Sequence, residues 1–218
     1  HTFVLPPTWN DTLIFELSEL EPFEAFIFDC DGTLTNSMPL HYVAWRDTMA
    51  KYGIDFPEEK FYSMAGMPSD KVIATLSNEQ SVTVDVQAAL NAKEDEFLRN
   101  LPLLKKLDFT VGIAEKFQGS KPMAVASGGT LPIVMAQLEH LGITRLFQTI
   151  VTAEHTKKHK PEPDVFLEAA RRLNVQPANC LVFEDADLGV QAAAAAGMKW
   201  IDIRQKPQIS LPAPHLGS

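Results

Sequence analysis

Three apolar runs of four residues end abruptly at chemistry-bearing side chains, and this constrains the fold more than any other feature of the chain. Ala25-Phe26-Ile27-Phe28 stops at Asp29, Met123-Ala124-Val125-Ala126 at Ser127-Gly128-Gly129, and Cys180-Leu181-Val182-Phe183 at Glu184-Asp185. Runs this short and this uniformly apolar read as strands buried on both faces. Thr149-Ile150-Val151 and Trp200-Ile201-Asp202-Ile203 add two weaker strands. Helical patterns alternate with them over 131–141, closing at Gly142, over 163–173, opening on Pro163, and over 188–196, closing at Gly197. Glycine past the last turn and proline in the first turn are helix punctuation. Strand–helix alternation predicts an α/β fold, a doubly wound, mostly parallel sheet covered on both faces.

Residues 38–107 break this rhythm. They contain no buried-strand pattern, whereas 41–52, 70–76 and 84–98 carry helical patterning. The stretch reads as a helical insertion placed after the first strand. The predicted organisation is therefore 1–37, an N-terminal extension with the first strand and its loop; 38–107, the helical insertion; and 108–218, the remainder of the core. The extension, with Pro6-Pro7 and Trp9, has no predicted place.

Composition narrows the function classes. The chain has 218 residues, 45% hydrophobic and 22% charged, which is ordinary globular usage and enough to bury a substantial core. A net charge of −9 makes nucleic acid a poor partner, since an acidic surface repels phosphate backbones. No apolar run approaches the roughly 20 residues of a membrane span. Cys30 and Cys180 show no metal-ligand or disulfide-framework spacing, which predicts reduced thiols and a cytoplasmic protein. The opening residues lack a signal-peptide pattern. A monomer is expected.

Ligands of open parallel sheets bind beyond the carboxyl ends of the strands. Asp29, Asp31, Ser127, Glu184 and Asp185 all fall there, and Lys160 lies in the loop after the third strand. Converging carboxylates stay ionised when a divalent cation lies between them, and hard oxygen donors suit Mg2+. Lys160, Ser127 and backbone amides near Gly32 and Gly128 suit a phosphoryl group. A carboxylate beside such a group is a candidate nucleophile. A second carboxylate two residues on is a candidate acid and base. Plainer roles stand beside these. Asp29 and Asp31 suit a solvated turn, Ser127 and the Glu184–Asp185 pair suit helix N-termini, and Lys160 lies within the basic run Lys157-Lys158-His159. Cys30, between the two acids, is expected to point away from them into the core.

Four segments together resemble the motifs of the haloacid dehalogenase superfamily of phosphohydrolases. They are Phe28-Asp29-Cys30-Asp31-Gly32-Thr33-Leu34-Thr35, Ala126-Ser127-Gly128-Gly129, Lys160-Pro161-Glu162-Pro163-Asp164 and Phe183-Glu184-Asp185-Ala186-Asp187. The resemblance runs from about residue 26 to 203. It implies a Mg2+-dependent phosphatase that works through an aspartyl-phosphate. Asp29 would be nucleophile and metal ligand, and Asp31 acid/base with its backbone carbonyl on the metal. Ser127, Gly128 and Lys160 would hold phosphate, and Asp185 and Glu184 the metal.

The insertion resembles the small cap of the beta-phosphoglucomutase-like subgroup, in which His41 and Trp45 would face the substrate. The two are four apart on one helix face, which also suits core packing. Two departures count against mutase chemistry. Ser69 stands where the mutase has an arginine, and Thr130 where it has a lysine. Asn36 replaces an acid common among relatives. The resemblance therefore implies hydrolysis of a small phosphorylated metabolite, a sugar phosphate such as fructose 1-phosphate. A phosphosugar mutase, a pyrophosphatase and a phospho-accepting switch protein are the alternatives.

Overall fold

The computed structural model describes residues 17–205 and 209–210. The part of the expected N-terminal extension at 1–16, with Pro6-Pro7 and Trp9, lies outside them. Six strands form one sheet: β1 (Ala25–Phe28), β2 (Met123–Ala126), β3 (Thr149–Val151), β4 (Cys180–Glu184), β5 (Lys199–Asp202) and β6 (Ile209–Ser210). Their spatial order is β3-β2-β1-β4-β5-β6. All neighbours pair in parallel except β5 with β6. The chain winds outward from β1 through β2 to β3, then crosses back to place β4 on the other side of β1. The topological switch point therefore lies beyond the ends of β1 and β4, where open α/β sheets bind ligands.

The pleat sorts the strand residues by parity. Phe26, Phe28, Leu181 and Phe183 pack on one face, against α5 (Asp108–Phe117) and α6 (Leu131–His140). Ala25, Ile27, Cys180 and Val182 pack on the other, against α7 (Asp164–Leu173) and α8 (Asp187–Ala195). Phe28 and Phe183 stack at 4.5 Å, and Phe117 of α5 meets Phe26 edge-on at 5.0 Å. Cys30 continues the parity of Phe26 and Phe28 into the first cluster and is fully buried, as expected. Both cysteines are free thiols.

Four helices follow β1: α1 (Met38–Ala50), α2 (Glu58–Ser63), α3 (Ser69–Gln80) and α4 (Val86–Asn100). They enclose an apolar cluster of their own that includes Trp45, Met49, Phe56, Phe61 and Ile73. The strands entering and leaving this helical unit run side by side. Thr35 bridges Lys106, the Asn36 N–H donates to the Lys105 carbonyl at 2.8 Å, and the Leu107 N–H donates to the Leu34 carbonyl at 2.9 Å. The helices are thus tied to the sheet close to the end of β1. Among the described residues no helix is long and apolar enough to cross a membrane.

The elements depart from the sequence reading at several points, among them α3, which runs to Gln80 rather than to 76, and α4, which lies at 86–100 rather than 84–98. α1 begins three residues before 41, because Pro39 fits its first turn. β5 is set one residue earlier than 200–203 by pairing Lys199 with Leu181 and Asp202 with Glu184. α2 and α5 carry no sequence assignment. α2 has six residues, too few to display a period, and α5 contains Thr110, Val111, Gly112 and Ile113, which are weak helix formers. Burial of Phe109, Val111, Ile113 and Phe117 holds α5 in place despite them.

Candidate active site

The strand ends and the helical unit enclose a cavity of about 340 Å³. Every residue singled out from the sequence reaches it: Asp29, Asp31, Ser127, Gly128, Lys160, Glu184 and Asp185 from the sheet side, His41 and Trp45 from α1.

At its floor Lys160 holds two carboxylates. Its Nζ donates to Asp29 Oδ1 at 2.7 Å and to Glu184 Oε1 at 2.6 Å, and all three side chains are buried. Their attraction outweighs burial and keeps the Lys160 amine charged well above its ordinary range. Of the basic run, His159 and Lys160 line the cavity, and Lys160 alone is buried, its Nζ 4.9 Å above the Phe166 ring. Glu184 is committed on both oxygens. Its Oε2 accepts the backbone N–H groups of Asp185 at 2.6 Å and Ala186 at 2.7 Å, just before α8. Close packing enforces this position, because a Cβ on Gly189 would lie 1.7 Å from Glu184 Oε1. Asp185 accepts a hydrogen bond from Thr33 Oγ1 at 2.7 Å on Oδ1. Its Oδ2 lies where a side chain on Gly32 would stand, 2.1 Å from that Cβ, so the left-handed turn at Gly32 (φ +80°) admits no larger residue. The Gly32 N–H itself is spent on the Thr35 carbonyl at 2.9 Å.

Asp29, Glu184 and Asp185 each offer a carboxylate oxygen within 4.8 Å of the others. Burial, and then the neighbouring acids, push Asp29 well above the usual carboxylate range, against the pull of Lys160. Burial followed by the Glu184 charge pushes Asp185 up to about 7. Two buried carboxylates and a half-buried one, with one ammonium among them, make a hard-oxygen donor set short of positive charge, which is what a divalent cation such as Mg2+ fits.

Asp31 is treated differently. Its Oδ1 accepts from Ser37 Oγ at 2.7 Å, His41 Nε2 at 2.7 Å and Gln137 Nε2 at 2.9 Å. Burial opposes ionisation, but His41 beside it and these three bonds prevail and hold the carboxyl well below the usual range. Burial, reinforced by Lys93, lowers His41. His41 stacks on Phe97 at 4.0 Å, and among the described residues its buried Nδ1 has no hydrogen-bond partner. Opposite Asp31, Ser127 Oγ accepts the Gly129 N–H at 3.0 Å, which leaves its own hydrogen for a ligand. Ser127 does not cap α6, whose N-cap position is Thr130.

Four contributors escaped the sequence reading: Thr33, Ser37, Gln137 and Lys93. The first two lie within a few residues of Asp31, so proximity was the available signal. Gln137 and Lys93 sit mid-helix in α6 and α4, where polar side chains ordinarily face solvent. Lys93 is buried with its Nζ 5.4 Å above the Trp45 ring and 5.9 Å above Phe97, and it lines the cavity. Trp45 combines both readings, packing in the helical cluster and walling the cavity.

Comparison with known proteins places the chain in a family. The family model for haloacid dehalogenase-like hydrolases matches residues 26–203. The fructose-1-phosphate phosphatase YqaB of Escherichia coli (strain K12) is 38% identical over 186 residues, covering 84% of this chain and 98% of that one. A phosphorylated carbohydrates phosphatase of Thermotoga maritima is 30% identical over 180 residues, covering 82% and 83%. A beta-phosphoglucomutase crystal structure from Clostridium difficile superposes with a TM-score of 0.76 at 27% identity, covering 83% of this chain and 84% of that one. With its motifs gathered at the switch point of the sheet and the family model spanning most of its length, the chain belongs to the haloacid dehalogenase-like hydrolases.

Proposed function

We propose that the protein is a Mg2+-dependent phosphatase of a small sugar phosphate of the fructose 1-phosphate kind, working through a phosphorylated Asp29. One observation carries the mechanism: at one cavity floor Asp29 is bonded to Lys160 and grouped with Glu184 and Asp185, whereas Asp31, two residues on, is held instead by Ser37, His41 and Gln137. Divergent environments of neighbouring carboxylates mark separate chemical roles. The similarity to the sugar-phosphate phosphatases supports the substrate class.

Asp29, Asp185 and the Asp31 backbone carbonyl are the groups to hold the cation. Glu184, with both oxygens engaged, orients Lys160 and the turn before α8. A bound Mg2+ supplies charge neutralisation for the phosphoryl oxygens. Lys160, the Ser127 hydroxyl and the amide region of Gly128 bind the same oxygens and fix the phosphorus in front of Asp29. An Asp29 oxygen attacks phosphorus as the ester P–O bond breaks. Asp31, which gains a proton as the phosphate dianion arrives against it, gives that proton to the leaving oxygen. Asp31 then takes a proton from water as the water oxygen attacks, the Asp29–P bond breaks and phosphate leaves. The helices over the site, 38–107, act as the cap that excludes bulk water and reads the leaving group. His41, Trp45 and Lys93 line its inner wall.

Mutase chemistry is less well supported. Ser69 and Thr130 both line the cavity, and Thr130 Oγ1 donates to Glu94 Oε1 at 2.9 Å, so a carboxylate stands where a second phosphate would need a cation. The reading is tested by phosphate release from sugar phosphates, pyrophosphate and phosphoglycolate, with Mg2+ or chelator. Mg2+-dependent turnover led by ketose or hexose monophosphates is expected. Absence of release by folded, Mg2+-binding protein overturns it.

A further inference from the structure

Asp31 is gripped asymmetrically. All three side-chain donors that reach its carboxylate among the described residues converge on Oδ1. Oδ2 takes none of them and faces the second loop, 3.5 Å from where a Cβ on Gly129 would be, with Ser127 Oγ 3.3 Å from the same point. A carboxylate has acceptor sites on both oxygens. Loading only one fixes the rotation of the group and decides which oxygen meets the substrate.

The three donors differ in origin. Ser37 and His41 belong to the entry of the cap and to α1, so their hold depends on where the cap stands. Gln137 comes from α6 of the core and is fully buried. An amide presents either its NH2 or its carbonyl to a neighbour, and only the NH2 serves a carboxylate. Thr35 removes the ambiguity. Its hydroxyl donates to Gln137 Oε1 at 2.7 Å, which turns the Gln137 NH2 toward Asp31. The same hydroxyl lies 3.3 Å from the Cys30 carbonyl, within the loop that carries Asp31. This buried glutamine, on an otherwise apolar helix face, is bonded through both its carbonyl and its NH2 to these two partners. Leucine at this place would pack without them.

We propose that Gln137, oriented by Thr35, is a positioning residue that anchors Asp31 Oδ1 from the core and so presents Oδ2 to the leaving-group oxygen. The inference rests on the acid/base role given to Asp31 above. If it holds, loss of the anchor hurts most where the leaving group needs a proton, and least where it does not. An alkyl phosphate such as fructose 1-phosphate needs protonation as its P–O bond breaks, whereas nitrophenolate departs without it.

The experiment compares kcat/KM for fructose 1-phosphate and for p-nitrophenyl phosphate in Gln137→Leu, Thr35→Val, Thr35→Ser and Asp31→Asn. All are assayed at saturating Mg2+ and well below their melting temperatures. Gln137→Leu is expected to lose about 10–100-fold on fructose 1-phosphate, with KM nearly unchanged, and less than about 3-fold on p-nitrophenyl phosphate. Thr35→Val should show the same pattern more weakly, and Thr35→Ser should restore it. Equal losses on both substrates, or none, in Gln137→Leu overturn the inference when Asp31→Asn shows the selective loss. If Gln137→Leu does not fold, the Thr35 pair decides, and failure of serine to rescue valine overturns the inference. If Asp31→Asn itself keeps full turnover of fructose 1-phosphate, the acid/base reading falls and takes the inference with it.

Discussion

Replacing Gly189 with alanine tests how tightly the floor of the site is built. By propensity alone the change favours the folded state, since alanine in a helix interior is better than glycine by about 1 kcal/mol. The structure reverses the sign. The new Cβ would stand 1.7 Å from Glu184 Oε1 and 2.0 Å from its Cδ. Glu184 is fully buried and has no solvent-facing rotamer to retreat to. Moving it breaks the bond from Lys160 at 2.6 Å and strains those from the Asp185 and Ala186 amides. Disrupting one partner of a buried pair costs about 3–5 kcal/mol. Subtracting the helix gain leaves a net loss of roughly 2–4 kcal/mol, or about 4–16 °C in a domain of this size. Turnover should fall by at least about 100-fold, because Lys160 and Asp185 shift with Glu184. Thermal unfolding followed by circular dichroism, with phosphate release on the same samples, gives both numbers. A variant that melts at or above the wild type and keeps its turnover would refute the packing argument.

Further outcomes follow from the same geometry. Lys160→Met leaves Asp29 and Glu184 buried without their cation and should lower stability by about 3–5 kcal/mol in chelator, with part of the loss recovered in Mg2+, as read from melting curves. Mg2+ at 100 times its Kd should stabilise the wild type by about 2.7 kcal/mol, and Asp185→Asn should lose most of that gain in the same titration. Burial pushes the Cys180 thiol up to about 12 and raises Cys30 as well, so neither should react with a thiol reagent at neutral pH until denaturant is added, which a colorimetric thiol titration reads directly.

How much of this was legible beforehand follows from what each residue's signal depends on. The strands could be read because four consecutive apolar residues ending in a polar one is a local pattern, and β1, β2 and β4 each show it. The site residues at their ends were legible for the same reason: strand topology alone brings Asp29, Ser127 and Glu184 to one edge. Helix α5 was not legible, because Gly112 and its β-branched neighbours argue locally against a helix that tertiary burial imposes. Gln137 was not legible either. Nothing in α6 distinguishes it from a surface glutamine until the fold brings Asp31, 106 positions away, to within 2.9 Å. The different surroundings of Asp29 and Asp31 likewise depend on which of them meets Lys160 and the acids after β4 and which meets His41, and only the folded chain decides that.

Trapping the intermediate tests the central claim most directly. Protein mixed with fructose 1-phosphate and Mg2+ would be acid-quenched within a turnover and digested, and the peptide containing Asp29 weighed. A phosphoryl group on Asp29, absent in chelator and accumulating in Asp31→Asn when p-nitrophenyl phosphate, whose leaving group needs no proton, is the donor, is the predicted result. Turnover at the wild-type rate by Asp29→Asn, or a phosphoryl group found on a different residue, would contradict the account.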